Sequence, residues 1–171
     1  MRQKIVLILG IVFLWLIPGC QSENVGANYE KNDFILKPLG SVSEENIYRT
    51  IEELQKCETR YSWEKQEEVA NYLFKKFQEY DIPVEFDEYY FKDKKWKNVI
   101  ATINGKKKPN DIYMGIAHLD SISKQPEVSA PGADDNASGT AAVIEIGRIL
   151  KDVSSDATVK LGIFPMKSRG E

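Results

Sequence analysis

The feature that most limits the fold is a nearly continuous apolar run from Ile112 to Ala117. A second apolar run, Thr158 to Phe164, follows after a segment from Ala137 to Leu150 whose apolar residues recur at helical spacing. Continuous apolar strands are typical of parallel sheets that are covered on both faces, and a helix between two strands favours a parallel crossover. We therefore predict an α/β fold with a mostly parallel mixed sheet flanked by helices.

Further helices and strands are predicted upstream of this pair. A helix begins near Ser43, and a second runs from about Ser62 to Tyr80. Two strand-like segments, Val84 to Phe91 and Asn98 to Ile103, come next. The apolar stripe of the second helix consists of Val69, Leu73, Phe74 and Phe77.

The amino-terminal segment has the pattern of a secretory signal. Arg2 and Lys4 precede an apolar run from Ile5 to Ile17, which is short for a membrane span of about 20 residues. The following Pro18-Gly19-Cys20 completes a resemblance to a bacterial lipobox, in which the Cys is lipidated. We therefore predict a signal peptide over 1–20 and a tether over 21–42. The protein would be a cell-envelope lipoprotein, held at the membrane by the Cys20 lipid, or a secreted protein, with an uncleaved anchor helix as the alternative.

The charge balance excludes one class of partner. The formal net charge is -3, so there is no electrostatic case for binding nucleic acid. The basic run from Lys106 to Lys108 is best interpreted as a solvated turn.

After removal of the signal peptide and lipidation of Cys20, Cys57 would remain as a lone thiol and is predicted to pack in the interior. The sequence does not fix an oligomeric state.

His118 follows the predicted strand directly and is the only histidine of the chain. Ligand sites in open α/β sheets gather at the carboxyl ends of strands. A lone histidine is more often a satisfied surface or core residue than a ligand. Asp120 favours the second interpretation, because a carboxylate beside an imidazole fixes the tautomer of a metal-bound histidine.

A loop of small residues over 130–139, with the sequence Ala-Pro-Gly-Ala-Asp-Asp-Asn-Ala-Ser-Gly, opens the next helix. Small residues let the backbone approach a ligand closely. The adjacent carboxylates of Asp134 and Asp135 face different directions in an extended loop, so one can enter a site while the other meets solvent. The alternative is that they only cap the helix. A calcium loop is not favoured, because its alternate spacing and terminal Glu are missing.

Together, the segment His118-Leu119-Asp120-Ser121 and the loop over 130–139 resemble the co-catalytic zinc aminopeptidases of metallopeptidase family 28, clan MH. Glutaminyl cyclases are more distant relatives. The resemblance implies a zinc-exopeptidase fold of the phosphorylase/hydrolase-like type, two Zn²⁺ ions and a peptide substrate that loses its amino-terminal residues. It also implies that His118 is a zinc ligand, that Asp120 orients it, and that Asp135, not Asp134, bridges the two ions. Zinc in such sites activates water and polarises the peptide carbonyl.

The sequence departs from the family pattern after Phe164. The family has a Glu-Glu pair whose equivalent falls near Arg169 and Gly170, and only Glu171 could be a slipped equivalent of the general base. We therefore expect residues 43–171 to be the amino-terminal part of a zinc peptidase domain without the full site. The chain would then be a fragment of a longer enzyme, the product of an interrupted reading frame, or a product that has lost catalysis. The alternatives are a non-catalytic remnant or binding module on the same scaffold, or a glutaminyl cyclase-like transferase.

Overall fold

The computed structural model describes residues 33–165. The predicted signal segment, Cys20 and Glu171 lie outside these residues, so their roles stay predictions. In chain order the elements are α1 (Asp33–Leu39), α2 (Glu44–Gln55), α3 (Trp63–Glu79), β1 (Val84–Phe91), β2 (Lys94–Ile103), β3 (Lys108–His118), an irregular helical turn (Ala133–Ser138), α4 (Gly139–Leu150) and β4 (Ala157–Phe164).

Serine side chains cap the amino termini of the two longer upstream helices. The Ser43 hydroxyl accepts a hydrogen bond from the backbone N–H of Asn46, and the Ser62 hydroxyl accepts one from Lys65. Such caps satisfy backbone donors that have no partner inside the helix. The predicted helix starts near Ser43 and Ser62 are therefore confirmed. No helix within the part of the chain that the structure describes is long and apolar enough to cross a membrane.

The described end of the predicted tether contains a short helix. Residues 33–39 form α1, and the backbone N–H of Gly40 donates to the carbonyl of Leu36 at its end. The tether was inferred from a lack of periodicity, and about two turns of helix are too short to show a periodic pattern. The tether over 21–42 stays a prediction, and its described end contains this one short helix.

The strands form one mixed sheet in the order β1-β2-β4-β3. The pairs β1–β2 and β2–β4 are antiparallel, and β3–β4 is parallel. The mixed sheet flanked by helices is confirmed, but the parallel pairing does not dominate within residues 33–165. The reason is the tight connection between β1 and β2, where Lys92 and Asp93 both have positive φ. Such a two-residue turn joins antiparallel neighbours, whereas α4 supplies the parallel crossover between β3 and β4.

The hydrophobic core lies between the sheet and helices α3 and α4. The predicted stripe of α3 supplies Val69, Leu73 and Phe77, which are fully buried, while Phe74 stacks on Phe86 of β1 with ring centroids 4.4 Å apart. The other core residues come from β2, β4 and α4 and include Val99, Ala101, Leu161, Ile163, Val143 and Ile144. The predicted stripe is therefore confirmed, and the core fixes the sheet edge from which the functional loops emerge.

Strand β3 differs from the prediction of a strand covered on both faces. It pairs with β4 on one side only, and no strand among the described residues pairs with its other edge. Its large apolar side chains are 48–69% exposed, namely those of Ile112, Tyr113, Met114 and Ile116. An apolar run reports on composition but not on pairing, so it cannot distinguish a central strand from an edge strand. The other apolar run was also predicted to be a buried strand, and this is confirmed for β4. It pairs with β2 and β3, and its residues Leu161 and Ile163 are buried.

Candidate metal centre

His118 is the last residue of β3, and two neighbouring elements fix its backbone. The hydroxyl of Thr140, in the first turn of α4, donates to the His118 carbonyl over 3.0 Å. The N–H of Leu119 donates to the carbonyl of Phe164 at the end of β4 over 2.9 Å. The imidazole therefore emerges where the carboxyl ends of two parallel strands meet, as expected for a ligand site in an α/β sheet.

Carboxylates contact both nitrogens of the His118 ring. Asp120 Oδ1 lies 3.2 Å from Nδ1, and Asp135 Oδ1 lies 3.0 Å from Nε2. The Asp120 side chain is only 15% exposed, whereas that of Asp135 is 76% exposed. An ionised carboxylate only accepts hydrogen bonds, so the tautomer that suits a metal ligand donates its Nδ1 proton to Asp120 and carries no proton on Nε2. The Nε2 lone pair is then available on the solvent side, next to Asp135.

The backbone of the loop turns Asp135 toward the histidine. Gly132 adopts a left-handed conformation with φ of 51°, and Asp135 and Asn136 interrupt the helical turn with extended or irregular dihedral angles. Asp134 remains in the turn with an exposed side chain, and its carbonyl accepts a hydrogen bond from the Ser138 hydroxyl. Of the two adjacent acids, Asp135 is therefore the one whose carboxylate contacts His118.

The capping function belongs to the residue after the two acids. The side-chain oxygen of Asn136 accepts a hydrogen bond from the N–H of Gly139 over 3.1 Å, at the start of α4. No side chain of Asp134 or Asp135 makes a cap bond to this helix in the structure. The interpretation of this acidic pair as helix caps alone is therefore not supported.

The donor pair His118 Nε2 and Asp135 Oδ1 fits one zinc ion. Two ligands of a tetrahedral zinc, each about 2.0–2.2 Å from the metal, lie roughly 3.4 Å apart. The observed separation of 3.0 Å is close to that value. Within residues 33–165, however, no group of three His, Cys, Asp or Glu side chains is arranged to hold a metal. A catalytic zinc usually has three protein ligands, so the described residues supply only part of a complete site.

Sequence reasoning assigned no role to Arg60, which lies directly behind the site. Its side chain is buried, and the residue is 1% exposed. Its guanidinium donates to the carbonyls of Leu119 and Gly132, on the two loops that carry the candidate ligands. Helical and strand periodicities report on local structure, so no sequence signal connects Arg60 with loops far along the chain.

The fold is shared with solved exopeptidases and cyclases. The aminopeptidase from Aneurinibacillus sp. strain AM-1 superimposes with a TM-score of 0.64 at 16% identity, covering 78% of this chain and 64% of that one. The glutaminyl cyclase of Tannerella forsythia gives 0.61 at 19% identity, covering 76% and 49% of the two chains. At these identities the likeness establishes the zinc-exopeptidase type of fold and not an activity.

The family follows from sequence matches. The family model described as Peptidase family M28 matches residues 98–165. A probable leucine aminopeptidase of Trichophyton verrucosum is 36% identical over 148 residues, which cover 80% of this chain and 38% of that protein. A probable zinc metalloprotease of Pyrenophora teres f. teres is 37% identical over 76 residues, covering 43% of this chain and 16% of that protein.

These matches support peptidase family M28 and, by family, a hydrolase. The predicted family is thus confirmed, and a family of zinc peptidases implies zinc. The chain spans less than two fifths of the length of the leucine aminopeptidase relative.

Proposed function

We propose that the protein is a zinc-dependent aminopeptidase that removes amino-terminal residues from peptides. The observation that carries the proposal is the placement of the His118 imidazole between two carboxylates, 3.2 Å from Asp120 and 3.0 Å from Asp135. In this proposal His118 Nε2 and Asp135 bind zinc, and Asp120 orients the histidine. The remaining ligands and the general base come from residues outside 33–165, and Glu171 stays the candidate base within this chain.

Asp120 and Asp135 have different roles at the proposed site. Asp120 accepts the hydrogen bond from Nδ1–H and so selects the tautomer whose Nε2 lone pair is directed at the metal position. The exposed Asp135 has a second carboxylate oxygen that can reach another cation, which suits a carboxylate that bridges two zinc ions. Zinc, when bound, supplies a Lewis acid for the peptide carbonyl and lowers the pKa of water.

Glutaminyl cyclisation is the second candidate, because a solved glutaminyl cyclase shares the fold. The two reactions differ on a peptide that begins with glutamine. Hydrolysis adds water across the first peptide bond and releases free glutamine. Cyclisation joins the α-amine to the side-chain carbonyl and releases ammonia, with the peptide bond intact. A single glutaminyl substrate therefore distinguishes the two activities by its products.

We expect the full-length gene product to release free amino acids from aminoacyl substrates and to lose this activity on treatment with a zinc chelator. Added zinc should restore it, because the neutral imidazole and the carboxylate bind the metal reversibly. The measurement is product release before chelation, after dialysis and after addition of zinc. Hydrolysis that persists in zinc-depleted protein would contradict the proposal. Zinc binding without any turnover would favour the non-catalytic scaffold instead.

A further inference from the structure

Arg60 is buried behind the candidate metal centre and makes its hydrogen bonds to backbone carbonyls. Its Nε donates to Leu119 O over 2.8 Å, and Nη2 donates to Gly132 O over 2.9 Å. Nη1 donates to Pro131 O over 2.6 Å and to Leu54 O over 3.2 Å. The guanidinium therefore joins the carboxyl end of α2 to both loops of the site.

These contacts connect the two candidate zinc ligands through one rigid group. Leu119 directly follows His118, and Gly132 lies in the turn that presents Asp135. The planar guanidinium fixes the directions of its N–H donors, so it also fixes the positions of the carbonyls that accept from them. The Arg60 guanidinium thereby fixes the separation between the loop at His118 and the loop at Asp135.

The backbone of Arg60 extends the same connection. Its N–H donates to the Ser121 hydroxyl over 3.0 Å, and that hydroxyl donates to Ala130 O over 2.5 Å. Thr59 pairs with Ala130 in an isolated parallel bridge. The strand-like segment at Thr59 and Arg60 thus lies between the loop that follows β3 and the loop that precedes α4.

A buried guanidinium is costly unless its donors are satisfied and negative charge lies close by. Burial lowers the pKa of Arg60, while the carboxylates of Asp120 and Asp135 act in the opposite direction. An apolar side chain would avoid the cost of a buried charge, but it would leave the carbonyls of Leu119 and Gly132 without this donor. The charge and the fork of donors therefore point to a role at the site, beyond filling the core.

We propose that Arg60 is a positioning residue that sets the distance between His118 and Asp135 so that both can bind the same metal ion. It contacts neither the metal nor the substrate. This inference rests on the proposed zinc site, but not on which reaction the complete protein performs.

The test compares Arg60→Lys with Arg148→Lys in the full-length gene product. Lysine keeps the charge but loses the planar fork. Arg148 is the control, because it also donates to a backbone carbonyl, that of Ser41, but pairs with Glu145 and lies away from the loops of the site. Zinc affinity is measured by titration in a competing chelator, and the absorption spectrum of the cobalt-substituted protein reports on ligand geometry. Both readouts are taken on protein that is folded by circular dichroism.

We expect Arg60→Lys to weaken zinc binding by about 10- to 100-fold, as for loss of other residues that support metal ligands, and to change the cobalt spectrum. Arg148→Lys should leave zinc affinity within about twofold of wild type. Unchanged zinc affinity and cobalt spectrum in folded Arg60→Lys, or an equal loss in Arg148→Lys, would overturn the positioning role.

A milder variant keeps the test decisive if Arg60→Lys does not fold. Ser121→Ala removes the hydroxyl that links Arg60 to Ala130 and should weaken zinc binding with the same change in the cobalt spectrum. Unchanged zinc binding in Ser121→Ala would then count against the proposal. Wild-type protein that binds zinc without hydrolysing peptides, but binds it more weakly after Arg60→Lys, would support the positioning role and overturn the aminopeptidase assignment alone.

Discussion

Replacement of Asp135 by alanine is expected to lower the zinc affinity of the full-length gene product by more than about 100-fold. Residues that only support a metal ligand typically contribute 10- to 100-fold in affinity, and Asp135 is proposed to be a ligand itself. Its Oδ1 is the carboxylate oxygen 3.0 Å from His118 Nε2. Zinc titration measures the affinity, and release of amino acids from an aminoacyl substrate should fall at least in parallel.

The neighbouring Asp134→Ala provides the matched control. Asp134 has the same side chain one position earlier, but it is exposed, and its carbonyl rather than its carboxylate makes the hydrogen bond to Ser138. Surface substitutions of this kind change free energies by less than about 0.5 kcal/mol, so zinc affinity should stay within about twofold. Equal losses in the two variants would show that this loop contributes general negative charge and not a specific ligand.

Gly132→Ala is expected to destabilise the protein by about 2–5 kcal/mol and to weaken zinc binding. Gly132 has φ of +51°, and an added Cβ would lie 2.5 Å from Asp135 O, 2.7 Å from Ser121 Cβ and 2.8 Å from Arg60 Nη2. The left-handed conformation costs a non-glycine residue about 1–2 kcal/mol, and overpacking adds about 1–3 kcal/mol. Relief of the overlap must move the backbone that presents Asp135, so stability and metal affinity should fall together.

The control for this substitution is Gly115→Ala on β3. An added Cβ at Gly115 would meet only Leu161 Cδ2, at an ordinary contact distance of 3.4 Å. We expect a change below about 1 kcal/mol in the free energy of unfolding, measured with urea, and unchanged zinc affinity. If Gly132→Ala and Gly115→Ala had the same small effect, the loop would not be held as tightly as its contacts indicate.

The local parts of the fold could be predicted because their causes are local. Ser43 and Ser62 cap helices through hydrogen bonds to residues three positions later, and the stripe of α3 follows the helical period. The environment of β3 could not be predicted in the same way. Its exposure depends on which elements pair with it and pack on its faces, and an apolar run contains no information about those neighbours.

In the candidate site, too, the local contacts could be predicted from sequence and the tertiary ones could not. His118 and Asp120 could be paired from sequence, since only Leu119 lies between them at the end of a strand. The choice of Asp135 over Asp134 came from the family resemblance, and the structure accordingly places only Asp135 beside His118. Arg60 could not be found, because its hydrogen bond to Leu119 spans 59 positions and arises only from tertiary packing.

The central claim is that His118 Nε2 is a zinc ligand while Asp120 holds the proton on Nδ1. His118 is the only histidine among the 171 residues, so ¹⁵N labelling of histidine in this chain identifies the signals of its imidazole, which are then followed in the full-length gene product. The account predicts that zinc shifts the Nε2 resonance, leaves Nδ1 protonated, and has no such effect at the same concentration in Asp135→Ala. A zinc-induced shift of Nδ1 in place of Nε2, or no shift of either nitrogen at saturating zinc, would contradict it.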